Sequence, residues 1–221
     1  MKHKIIFTTI LLALCVGTFA YTPEIAFGTR QGVTLSTVWF SPSVDQTMRV
    51  GYMGGFMSRF IFEKYFGLQV ELNYMQRGWT AKAHNSDSET FKYDRLFHYV
   101  ELPFMTHIFF GKKKFRWFFN LGLNLSYLVD DKTTAVLLDS ESRDEHNQQI
   151  SNRFDYGICG GTGFEFHTRA GIYQLEGRYN FGLGDVFPNR ITDDFGRSSN
   201  QVITINLGIL FDINKEKYKK P

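Results

Sequence analysis

The feature that most constrains this chain is a strict alternation of apolar and polar residues that returns in segment after segment. In Val202-Ile203-Thr204-Ile205-Asn206-Leu207-Gly208-Ile209-Leu210-Phe211, one face holds Ile203, Ile205, Leu207, Ile209 and Phe211, and the other holds Thr204, Asn206 and Gly208. A period of two is the signature of a strand with chemically different faces. The same pattern runs through Leu68 to Tyr74, Phe115 to Val129 and residues 172–182, with weaker versions near 27–39, 50–62, 93–110 and 154–168. This predicts about eight strands and no helix. Beyond the first twenty residues no apolar run reaches the ~18 that a membrane-spanning helix needs.

The connections alternate in length. Ser41 to Met48, Ala81 to Lys92, Asp130 to Asn152 and Gly184 to Asn200 are long. Between them fall short turns at Glu63 to Phe66, Gly111-Lys112-Lys113-Lys114 and Thr168-Arg169-Ala170-Gly171. Such an order is expected of an antiparallel up-and-down barrel with short turns on one rim and large loops on the other.

Alternation alone does not say which face is wet. Lysine placement decides it: Lys64, Lys82, Lys92, Lys112, Lys113, Lys114, Lys132, Lys215, Lys217, Lys219 and Lys220 all fall in predicted turns, loops or the tail. A soluble barrel would carry lysines on its outer strand faces. The polar faces here hold glycine, asparagine, glutamine, serine and a few Glu and Arg, a set suited to the filled interior of a narrow barrel. Aromatic residues make up 17% of the chain, and they gather near strand ends. Trp39, Trp79, Tyr127, Phe181 and Phe187 lie toward the long loops; Phe62, Tyr65, Phe66, Phe109, Phe110, Phe115 and Trp117 flank the short turns. Two aromatic belts are what a bilayer with two interfaces selects. The expected fold is an all-β transmembrane barrel of about eight strands.

The first segment reads as a leader. Two lysines in Met1 to Lys4 precede an apolar run from Ile5 to Val16, and Thr18-Phe19-Ala20 supplies small residues for cleavage after Ala20. Cys15 raises a lipoprotein alternative, but Leu12-Ala13-Leu14 lacks a small residue directly before the cysteine. The domain expectation is thus a signal peptide over 1–20, a barrel over 21–213 and a basic periplasmic tail over 214–221. Removing residues 1–20 takes Lys2 and Lys4 out of 25 basic residues and leaves all 22 acids, so the formal charge falls from +3 to +1. That balance argues against nucleic acid as a partner. One cysteine, Cys159, then remains, so packing and a closed hydrogen-bond network must replace disulfides. Its glycine-rich strand makes it a small interior residue. A leader followed by an amphipathic barrel implies the outer membrane of a Gram-negative cell, with lipid and lipopolysaccharide as surroundings.

Several segments resemble the PorT-like outer-membrane β-barrel family of Bacteroidetes, often called porin family proteins. Leu68-Gln69-Val70-Glu71-Leu72-Asn73-Tyr74-Met75-Gln76-Arg77-Gly78 resembles its third strand. Tyr99-Val100-Glu101-Leu102-Pro103 is similar to its fourth-strand motif, and Leu175 to Leu183 to its seventh. The resemblance covers about residues 27–213 and implies barrel structure more than an activity. One member type serves a gliding or secretion system. Phe211 is followed by ten residues, unlike barrels that end on an aromatic residue.

The polar-face residues Glu71, Glu101, Glu176 and Arg178 form the candidate lumen cluster, with Arg30, Arg116, Glu165 and His167 as additions. Two readings stand: a selectivity or proton site in a conduit, and a hydrogen-bonded plug. The plug is preferred, because an eight-stranded lumen is normally filled by side chains. Pro103, unable to donate a ladder hydrogen bond, predicts a bulge.

An enzyme would need a nucleophile and a base at the outer rim. His84, His98 and His146 with Ser86, Ser88, Ser140 and Ser142 supply the residue types but no fixed spacing. No cofactor or metal motif occurs, although the loop acids Asp130, Asp131, Asp139, Glu141, Asp144 and Glu145 raise divalent-cation contact as a question. The expected function is therefore a non-enzymatic surface or envelope protein with a filled lumen and long external loops, including an envelope protein partner. The alternative is a narrow transporter or an accessory of a secretion complex.

Overall fold

In a computed structural model the described residues are 24–41, 46–84, 90–112, 114–136, 153–185 and 197–213. They form eight strands: β1 Glu24–Ser41, β2 Gln46–Ile61, β3 Phe66–His84, β4 Thr90–Lys112, β5 Phe115–Val136, β6 Phe154–His167, β7 Ile172–Asp185 and β8 Arg197–Asp212. Each pairs antiparallel with the next, and β1 closes on β8 from Ala26↔Asp212 to Ser41↔Arg197. Closure gives every strand a neighbour on both sides, which is what hydrocarbon demands of a backbone. The leader with its cleavage point after Ala20, Cys15, Phe187, His146, the serines at 86, 88, 140 and 142, and the tail 214–221 lie outside the described residues.

The barrel is inside out relative to a soluble fold. Phe56, Leu72, Leu121, Leu123, Ile205 and Leu207 are exposed on the outer face. Arg30, Arg59, Glu71, Arg77, Glu101, Glu165, Glu176 and Arg178 are buried within. One period of two thus serves two solvents: lipid outside and a packed polar column inside.

The structure departs from the sequence reading at four points. First, the strands run further toward the long-loop rim than alternation suggested. The connection after β1 shrinks to residues 42–45 and that after β3 to 85–89, while Asp130, Asp131 and Lys132 belong to β5. Lys82 and Lys92 likewise pair across β3 and β4. Above the membrane a strand can be polar on both faces, so hydropathy alternation loses its force there while backbone pairing continues. Second, Pro103 makes no bulge. The β3–β4 ladder passes from Asn73↔Glu101 to Val70↔Phe104 without a shift, so the proline interrupts pairing and leaves the register intact. The β4–β5 shift lies at His98/Tyr99 instead.

Third, Trp79 and Phe109 do not join the aromatic belts. Both point inward and are 5% exposed. Trp79 shares the parity of Glu71 and Asn73, and Phe109 that of Glu101, so the pleat turns them into the lumen whatever their height. Trp39, Tyr127, Tyr65, Phe110, Phe115 and Trp117 do face outward. Fourth, the interior is not purely small and polar. Met53, Met57, Met75 and Met105, together with Phe97, Tyr99 and Phe118, are buried there. Unbranched methionines fill the irregular gaps beside the charged groups.

Candidate functional site

Four candidate residues were singled out by parity, and the structure brings three of them together. Glu71 on β3 and Glu176 and Arg178 on β7 meet Arg30 of β1 at mid-barrel. Arg178 donates to Glu71 from Nη1 and Nη2 at 2.8 Å each, and to Glu176 Oε2 at 2.9 Å. Arg30 donates to Glu176 Oε2 at 2.9 Å and pairs with Glu71. Two carboxylates thus face two guanidiniums, and the group is neutral as a unit. The remaining lone pairs are taken by amides: Asn73 Nδ2 to Glu71 at 2.9 Å, Gln69 Nε2 to Glu71 at 2.6 Å, and Asn120 Nδ2 to Glu176 at 2.9 Å. A buried ion cluster survives in a low dielectric when its spare lone pairs are also bonded. Here amides from neighbouring strands take those of both carboxylates, leaving Arg30 Nε as the one group of the two guanidiniums and two carboxylates without a partner.

Glu101 belongs elsewhere. It pairs with Arg77 of β3, whose guanidinium also lies 3.3 Å from Asp155 and 4.8 Å above the Tyr99 ring. Beside this group is a cavity of about 10 Å³ lined by Arg77, Asn124, Ser126, Asp155, Asn180 and Asn200. That is about the room one water needs. The oxygens Asn124 Oδ1 and Asp155 Oδ1 have no protein donor.

A third group sits toward the short turns. Arg59 pairs with Glu165 and donates to Gln69 and to Gln174 at 2.7 Å each. His107 Nδ1 meets Asn120 at 2.8 Å, and His167 Nε2 lies 3.2 Å from Glu165. Arg116 covers the Phe109 ring at 4.7 Å. At the opposite end Arg95 lies over Trp79 and Phe97, and Arg49 pairs with Asp94 at 2.8 Å. The lumen is therefore a stack: charge-paired layers separated by methionine and aromatic layers.

Arg59, Arg77, Gln69, Asn120, Gln174 and Asp155 were missed. Arg77 was within reach, because extending the Glu71-Asn73 face by parity arrives at it. Arg59 shares a face with Met53 and Met57, so nothing in its segment marked that side as polar. His98, a candidate base, faces outward, and its Nδ1 meets the Tyr74 hydroxyl. No described serine accompanies it among its hydrogen-bond partners. His84 ends β3. Among the described residues no group of three or more His, Cys, Asp or Glu could hold a metal.

A family model described as outer membrane protein beta-barrel domain matches residues 20–188. No curated protein sequence matches the chain. Among solved structures, OprG from Pseudomonas aeruginosa superposes with a TM-score of 0.51 at 12% identity, covering 86% of this chain and 96% of that one. Outer membrane protein W of E. coli (TM-score 0.43, 14% identity, 87% and 100% covered) and Neisserial surface protein A (0.43, 12%, 84% and 99%) are also similar. At these identities the likeness to OprG speaks for the fold alone.

Proposed function

The chain belongs to the outer membrane protein β-barrel family and lies in the outer membrane, and from that premise we propose that it is a non-enzymatic envelope protein whose lumen is plugged and whose long-loop rim makes its contacts. One observation carries the reading: the lumen is crossed by paired, buried arginines and carboxylates drawn from β1, β3 and β7. A conduit needs a file of sites that an ion can enter and leave, whereas a guanidinium held by two carboxylates obstructs the path for either sign of charge. In this reading Glu71, Glu176, Arg178 and Glu101 are structural groups, no cofactor is required, and lipopolysaccharide or another envelope component meets the outer rim.

The third-, fourth- and seventh-strand segments support placing the chain in the PorT-like branch, with residues 1–20 removed as a leader and residues 214–221 as a periplasmic tail. Amino-terminal sequencing of protein taken from the outer membrane should begin at Tyr21. Planar-bilayer recording tests the plug. No sustained single-channel openings are expected, and regular openings that change with Glu71→Gln would favour the narrow transporter. Acyl release from labelled lipopolysaccharide that is lost in His98→Ala would favour the enzyme.

A further inference from the structure

We infer that the short-turn rim between β4 and β7 holds a site for an anionic phospholipid of the inner leaflet, with its acyl chain in a groove of the barrel wall and its phosphate on Lys112 and Lys114. Two independent observations meet there. The outer wall carries a depression of about 480 Å³ lined by Phe115, Phe164, Phe166, Tyr173, Leu175 and Leu207, within the roughly 300–1,000 Å³ of ordinary ligand pockets. Its floor is ordered by Phe115 stacked on Phe164 at 5.5 Å and by Trp117 edge-on to Phe164 at 4.5 Å. Beyond Leu175 on the same face comes Gly177, where a Cβ would meet nothing within 4 Å. The wall therefore lacks bulk along the path a chain would take toward mid-membrane.

The charge lies at the correct end. Lys112 pairs with Phe115 across the turn, and the Lys114 carbonyl accepts from His167 N at 2.9 Å, which joins the β4–β5 and β6–β7 turns side by side. Lys112, Lys114 and Arg169 are exposed on this rim. Glu165, the acid within the groove's lining, points inward to Arg59, His107 and His167. In outer-membrane barrels the short turns face the periplasm, so the groove opens to the leaflet made of phospholipid. An acyl chain satisfies the apolar wall, and only an anionic headgroup satisfies the lysines.

The test uses the full-length protein in mixed phosphatidylcholine and phosphatidylglycerol vesicles, with one lipid at a time carrying brominated chains that quench Trp117. Brominated phosphatidylglycerol is expected to quench more strongly at equal fraction. The double variant Lys112→Glu/Lys114→Glu should abolish that preference, at roughly fivefold in relative affinity for each lysine, and the Lys→Arg pair should keep it. Gly177→Phe should weaken quenching by both lipids while the band remains heat-modifiable. Equal quenching of the unaltered protein by the two lipids would overturn the site. So would a preference that survives the glutamates, unchanged quenching in Gly177→Phe, or protection from both lipids because a second copy covers the face.

Discussion

At the scale of single residues, the lumen makes substitutions unequal in ways that exposure alone explains. Arg178 is held by two carboxylates inside the barrel, so Arg178→Met leaves Glu71 and Glu176 under-compensated and should lower unfolding stability by about 3–5 kcal/mol. Glu71→Gln combined with Arg178→Met should cost less than the two single losses added together, because each removes the other's reason for being charged. Urea titration of the gel-shifted form measures all three. Trp79 and Trp39 give a second contrast. Trp79→Ala opens a hole beside Phe97 and Arg95 and should cost about 3–5 kcal/mol. Trp39→Ala removes a rim side chain that is 58% exposed and should cost about 1 kcal/mol or less.

At the scale of elements, glycines report where the wall has no room. Gly111 closes β4 with φ at +137°, and a Cβ there would stand 2.5 Å from the Phe115 carbonyl oxygen. Gly111→Ala should therefore destabilise by about 1 kcal/mol or more, through strain and through the turn that sets the β4–β5 register. Gly177→Ala, on an open outer face, should be neutral or slightly stabilising, and equilibrium unfolding of the pair separates the two cases. The strand cores were legible because membrane and lumen impose opposite demands on alternate residues. Strand ends toward the long loops were not: Asp130 to Val136 pairs with β4 although its residues carry no alternation. Hydrogen bonding extends a ladder wherever a partner strand is present, and a partner is invisible in a single segment.

At the scale of the whole molecule, eight ladders and one closure make the barrel a cooperative unit. The unboiled protein should migrate differently from the boiled one in detergent gels, and equal mobility would count against a closed barrel. Replacing residues 137–152 by a Gly/Ser linker of the same length should leave that shift intact, since the β5–β6 ladder from Phe115↔Phe166 to Tyr127↔Phe154 lies outside the replaced segment. Surface contacts made by that loop would be lost. What the chain by itself determined was the strand count, the up-and-down order and the inverted faces, because each follows from a local period of two and from turn lengths. Which charges meet was decided only by closure. Glu71 and Arg178 are 107 residues apart, and Glu101 leaves their cluster for Arg77, because the stagger of the strands sets the heights at which inward side chains face each other.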